Sequence, residues 1–93
     1  MLIEDKLSKF VPENGVIDFY TDWCQPCKIM EPIIDELVDE GYNIVRINAE
    51  EHDDISGYFG VSGVPTFVKI QDGQEIDRKQ GAIPESNFRR FVK

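Results

Sequence analysis

The residues best suited to chemistry lie together in Trp23-Cys24-Gln25-Pro26-Cys27-Lys28, which holds the chain's only two cysteines and its only tryptophan. The segment follows an apolar run, Val16-Ile17-Asp18-Phe19-Tyr20, that reads as a buried strand. It precedes a run from Ile29 to Glu40 that reads as a helix. A Cys-x-x-Cys pair between a strand and a helix is the arrangement a dithiol redox site needs. If the helix begins near Cys24, that sulfur lies at the N-terminus, where unpaired N–H groups and the helix dipole favour negative charge. The thiolate is the nucleophile, so a lowered pKa makes Cys24 reactive at neutral pH. Cys27 is one helical turn further on and can reach the first sulfur. Pro26 suits a first turn, where its missing N–H would be unpaired anyway. Cys24 is therefore expected to attack and Cys27 to resolve.

Two other uses of the pair compete. Half a zinc site needs two further ligands, and His52 is the one histidine available. As a staple, a disulfide closing a four-residue loop contributes only about 2 kcal/mol in the entropy model.

With 93 residues, the expectation is one domain spanning 1–93 with one modest core. Hydrophobic residues make up 41% of the chain, as in globular proteins. No run approaches the roughly 20 apolar residues of a membrane span. No basic segment followed by an apolar one opens the chain, so no secretory signal is expected. The formal net charge is −8, unevenly placed: residues 1–77 hold 17 acids and 5 bases, residues 78–93 hold 1 acid and 5 bases. That balance argues against nucleic acid as a partner. Arg89, Arg90 and Lys93 read as cations meeting the C-terminal end of a helix dipole.

The elements that must position the cysteines follow from periodicity. Leu2 to Phe10 reads as an amphipathic helix with Leu2, Ile3, Leu7 and Phe10 on one side. Val16 to Tyr20 suits a strand covered on both faces. The helix after the cysteines carries two apolar rows, Ile29, Ile33, Leu37 and Met30, Ile34, Val38, with Pro32 expected to kink it and Gly41 to close it. Asp39 and Glu40 are the wrong sign for its C-terminal end. A second strand is expected over residues 43–48, then an acidic loop and a short helix to about Phe59. Thr66 to Ile70 and Glu75 to Gln80 read as a hairpin around Asp72-Gly73. Pro84 opens a last helix with Phe88, Phe91 and Val92 inward. The sum is a small mixed α/β sheet with helices on both faces, two strands parallel and two forming a hairpin.

From about residue 15 to 93 the chain resembles the thioredoxin family. Trp23-Cys24-Gln25-Pro26-Cys27-Lys28 is similar to the family's Trp-Cys-Gly-Pro-Cys-Lys signature. Asp18 matches its buried aspartate, Pro32 the proline of its active-site helix, Gly63-Val64-Pro65-Thr66 its cis-proline segment and Gly81-Ala82 its glycine-containing rim. The resemblance implies a thioredoxin-like fold with a four-stranded mixed sheet. The usual first edge strand is absent or vestigial near Leu2-Ile3, leaving the strand at 43–48 as an exposed edge. Gln25 replaces the usual glycine and Tyr20 stands where tryptophan is common.

The resemblance also implies roles. Asp18 is the proton acceptor for Cys27, and a buried carboxylate without a cation partner has a raised pKa. Arg46 aligns with a lysine near that aspartate; a close arginine, always charged, would lower the Asp18 pKa. Pro65 is expected to be cis, bringing the Val64 backbone beside the cysteines, where a substrate peptide could pair with it as an added strand. Trp23, Gln25, Pro26, Val61, Val64, Gly81 and Ala82 form a substrate rim. Lys28 has two readings, a bias on the thiolate and a solvated helix lysine. His52 is expected at the surface.

The function that follows is thiol–disulfide exchange, in the direction of protein disulfide reduction. Reductants of this fold sit near about −270 mV and oxidants near about −120 mV, and the retained Pro26 fits the reducing end. The implied partners are disulfide-containing proteins and an external reductase such as thioredoxin reductase, with no nucleic acid or membrane partner, for a cytoplasmic monomer. No metal or cofactor is implied beyond the dithiol. The alternatives are a glutaredoxin-like, glutathione-dependent reductase, and a thioredoxin-like binding subunit of a larger complex.

Overall fold

A computed structural model describes residues 2–93. The elements run α1 (Ile3–Phe10), β1 (Gly15–Tyr20), α2 (Gln25–Asp39), β2 (Ile44–Asn48), α3 (Asp53–Tyr58), β3 (Thr66–Gln71), β4 (Gln74–Gln80) and α4 (Glu85–Val92). The sheet order is β2-β1-β3-β4. β1 and β2 are parallel, as a strand–helix–strand connection dictates, and β3 is antiparallel to both β1 and β4. The hairpin turns at Asp72 and Gly73, with φ of 53° and 78°, the two left-handed residues that an Asp-Gly turn supplies.

Strand alternation divides the core into two layers. Val16 and Phe67 pack with Met30, Ile34 and Leu37 of α2 and Phe88 and Phe91 of α4. On the other face, Ile17, Phe19, Ile47, Val68 and Ile70 pack with Ile55 of α3, and Ile3, Leu7 and Phe10 of α1 close over them. Asp18 follows Val16 by two residues and so points into the α2 layer, a carboxylate in a core position.

The structure departs from the sequence expectation at several points. α1 begins at Ile3, and Leu2 is 70% exposed rather than part of the apolar face. In agreement with that expectation, among the described residues no strand precedes β1 and β2 is an edge; Met1 lies outside the described residues. On α2 only Cys27, Met30, Ile34 and Leu37 are buried, while Ile29 is 64% and Val38 45% exposed. Each i to i+4 step overshoots a full turn by about 40°, so the ends of long rows swing off the stripe one sheet can cover. Pro32 lies inside α2, where the sequence placed it.

The acids at the end of α2 have a partner that sequence reasoning did not find. Arg89 of α4 forks onto Glu40, with Nη1 and Nη2 each 3.0 Å from a carboxylate oxygen, and Nη2 is also 3.0 Å from Glu36 Oε1. Its Nε donates to Glu85 at 2.9 Å. Arg89 is thus a clip between α2 and α4, not simply a cation at a helix end. His52 is half-buried rather than on the surface: its ring packs 5.0 Å from that of Phe10, because α1 lies over the start of α3. Lys6 and Asp54 join the same two helices at 2.7 Å.

Candidate active site

β1 delivers the chain to the site and α2 carries it away. Cys24 is the N-cap of α2, in extended conformation, and its Sγ accepts the Cys27 N–H at 3.1 Å. A sulfur has taken the capping role usually filled by Ser, Thr, Asp or Asn. Gln25 and Pro26 form the start of the first turn, where proline costs no hydrogen bond. Cys24 and Cys27 are joined as a disulfide with their Cα atoms 5.2 Å apart. Both are buried, at 4% and 3% exposure, but Cys24 lines the floor of a surface groove of about 420 Å³.

Trp23, Gln25, Pro26, Val61 and Val64 line that groove, as the sequence implied, together with Ala49. Trp23 stands 68% exposed at its edge. Its Nε1–H donates to Glu50 Oε1 at 2.9 Å, which fixes the indole against the groove. Glu50 lies 27 residues away on the loop after β2, and only strand register could have revealed the pair. The Val64–Pro65 peptide is cis, as expected. Gly81 reaches this loop by donating its N–H to Pro65 C=O at 2.8 Å. Gly81, with φ of 86°, then turns the chain away, and Ala82 is exposed outside the groove lining. Neither Gly81 nor Ala82 is among the residues that line the groove; Gly81 adjoins it through its bond to Pro65. Lys28 is exposed.

On β1, the strand that leads to the cysteines, Asp18 is 2% exposed. The register pairs it with Arg46 on β2, whose Nε donates to Asp18 Oδ2 at 3.1 Å. Oδ1 is buried without a partner. The Arg46 guanidinium also lies 4.4 Å over the Tyr20 ring. The sequence expectation for a close arginine is a lowered Asp18 pKa. Arg46 does pull it down, but burial pushes it up more strongly and the carboxyl is raised to about 6. Arg46 is one-third exposed, so water screens its charge while the carboxylate bears the full desolvation cost.

A disulfide-linked pair at a helix N-terminus, open to a groove and preceded by a strand that carries a buried carboxylate, defines a site for thiol–disulfide exchange. The thioredoxin sequence profile matches residues 4–93. Thioredoxin from Mycoplasmoides gallisepticum is 32% identical over 80 residues, covering 84% of this chain and 80% of its own. Among solved structures, a mutant thioredoxin from Halobacterium salinarum NRC-1 superposes with a TM-score of 0.83 at 27% identity, over 99% of this chain and 82% of its own. A chain from the structure of thiol resolving in yeast mitochondrial 1-Cys peroxiredoxin via glutathione/thioredoxin systems matches with a TM-score of 0.82 at 31% identity, over 99% of this chain and 88% of its own. The chain belongs to the thioredoxin family and is a protein disulfide oxidoreductase. Members of the family act on disulfide substrates and work with reductases. Among the described residues, no helix is long and apolar enough to cross a membrane.

Proposed function

We propose that the chain is a one-domain, monomeric, cytoplasmic protein disulfide reductase that needs no cofactor beyond its own dithiol. The observation that carries this is Cys24 Sγ at the N-terminus of α2, accepting a backbone N–H at 3.1 Å while lining an open groove. The same N–H, with the helix dipole, stabilises a thiolate there.

The substrate lies in the groove against Trp23, Gln25 and Pro26, with its backbone beside Val64. The Cys24 thiolate attacks one sulfur of the substrate disulfide, and the other sulfur leaves as a thiolate. Cys27 then gives its proton to the Asp18 carboxylate and attacks Cys24 Sγ. The mixed disulfide breaks, the second substrate sulfur leaves as a thiolate, and Cys24 and Cys27 are left joined. Two electrons have passed to the substrate, and an external reductase such as thioredoxin reductase returns them. Asp18 suits its part because it is buried, in the α2 layer of the core and directly across the register from Arg46, with one carboxylate oxygen free. Pro65 holds the loop that presents Val64, and Gly81 is bonded to that loop.

Trapping tests the assignment. With a disulfide-linked protein substrate, Cys27→Ser accumulates a covalent adduct through Cys24, while Cys24→Ser accumulates none. Equal trapping by the two variants would reverse or remove the roles.

A further inference from the structure

A permanent cation bonded to a proton acceptor works against proton transfer, since it favours the ionised form and makes the carboxylate a poorer base. The structure contains a counterweight. Glu31, on α2 seven residues after Cys24, places Oε1 3.7 Å from Arg46 Nη2. The guanidinium is therefore held on three sides: Asp18 Oδ2 at Nε, Glu31 at Nη2, and the Tyr20 ring at 4.4 Å from Cζ. One cation is divided between a carboxylate that is 2% exposed and one that is 44% exposed.

The surroundings of Asp18 isolate this arrangement. From β2 the charged group facing it is Arg46, and from α2 it is Glu31. β3 places Phe67 beside it, and the next cation in that cross-strand row, Lys79, is a further strand away on β4. α4 contributes Phe88 to the same layer. The cysteines, joined as a disulfide, carry no proton.

Resting on the proposed role of Asp18, we infer that Glu31 is a positioning residue for proton transfer: by sharing Arg46 with Asp18 and repelling its negative charge, it keeps the buried carboxylate able to accept a proton. Glu31 touches neither substrate nor sulfur and acts through Arg46. The two neighbours must then have opposite effects. Removing the Glu31 charge leaves Arg46 wholly to Asp18, and the ionised form gains. Removing Arg46 leaves the ionised form unsupported.

The test follows the carboxyl carbon of Asp18 by NMR in the oxidised protein, where the cysteines do not titrate. Glu31→Gln lowers the proton affinity of Asp18 about threefold, the size of a partly exposed charge pair. Arg46→Met raises it about tenfold, as expected for loss of a bonded arginine. Glu31→Asp falls between wild type and Glu31→Gln. A second measurement follows the pH dependence of thiol release from a Cys24-linked mixed disulfide. Its acid limb moves down in Glu31→Gln and up in Arg46→Met, and disappears in Asp18→Asn. Should Asp18→Asn leave the limb in place, the proton-acceptor role is wrong. A limb lost in Asp18→Asn but unmoved in Glu31→Gln, or an Asp18 titration that ignores Glu31, overturns the inference about Glu31 alone.

Discussion

At the scale of single residues, Asp18 is where function and stability oppose each other. Its carboxyl is raised from 3.8 to about 6 by burial, against the pull of Arg46. Between those two values the folded state holds a proton that the unfolded chain has released, so stability falls as pH rises through the window and stays lower above it. The full effect is about 3 kcal/mol. Asp18→Asn, which carries no charge to bury, is therefore expected to unfold at higher urea concentration than wild type at pH 8. The gap should close toward pH 3, where both side chains are neutral. Equal midpoints at pH 8 would mean that Arg46 and water compensate the buried charge fully. The same residue shows how far sequence alone reaches. That Asp18 interrupts an apolar run marks it as buried, and the two cysteines declare themselves by spacing. The balance between burial and Arg46 is invisible there, because it depends on how much of each side chain meets solvent.

At the scale of elements, α2 carries the reactive sulfur at one end and a structural clip at the other. Its buried stripe is narrower than its apolar content, and this separates two substitutions that look alike in sequence. Ile34 is 1% exposed in the α2 layer. Ile34→Ala opens a cavity there and should cost about 2–5 kcal/mol, as other buried truncations do. Ile29→Ala, on a residue 64% exposed, should change stability by about 0.5 kcal/mol or less. Chemical denaturation of both variants checks the stripe; similar losses would mean that Ile29 packs in solution. The strands and the hairpin were legible from apolar runs and from Asp72-Gly73, because those signals are local. The pairs that tie elements together were not. Glu31 meets Arg46, Glu50 meets Trp23, and Glu36 and Glu40 meet Arg89 only after strands and helices have packed, across gaps as long as 53 residues for Glu36. A charged residue on an exposed face gives no sign of its partner until the topology is known.

For the molecule as a whole, charge is the dominant long-range property. The net charge is −8, with the acids concentrated before residue 78 and Arg89 already committed to three glutamates. The groove faces solvent beside Asp22 and Glu50, both on the acidic portion of the chain. A disulfide peptide flanked by lysines should therefore be reduced faster than one flanked by glutamates, by about tenfold at low ionic strength. The difference should shrink as salt shortens the Debye length to about 3 Å at 1 M. Stopped-flow reduction rates over a salt series measure this; a salt-independent ratio would place peptide selection in short-range contacts at the groove instead. The acidic balance was plain from composition, while the side of the molecule it would colour depended on where Trp23 and Glu50 came to rest.

The indole beside the disulfide has one more consequence. With a single tryptophan in the chain, standing 68% exposed next to Cys24 and anchored by one carboxylate, the protein carries its own optical reporter. Excited at wavelengths that indole absorbs and the three tyrosines and six phenylalanines do not, its emission has one source, so any change on occupying the groove, or on opening and closing the sulfur bridge, can be assigned to one place without attaching a dye.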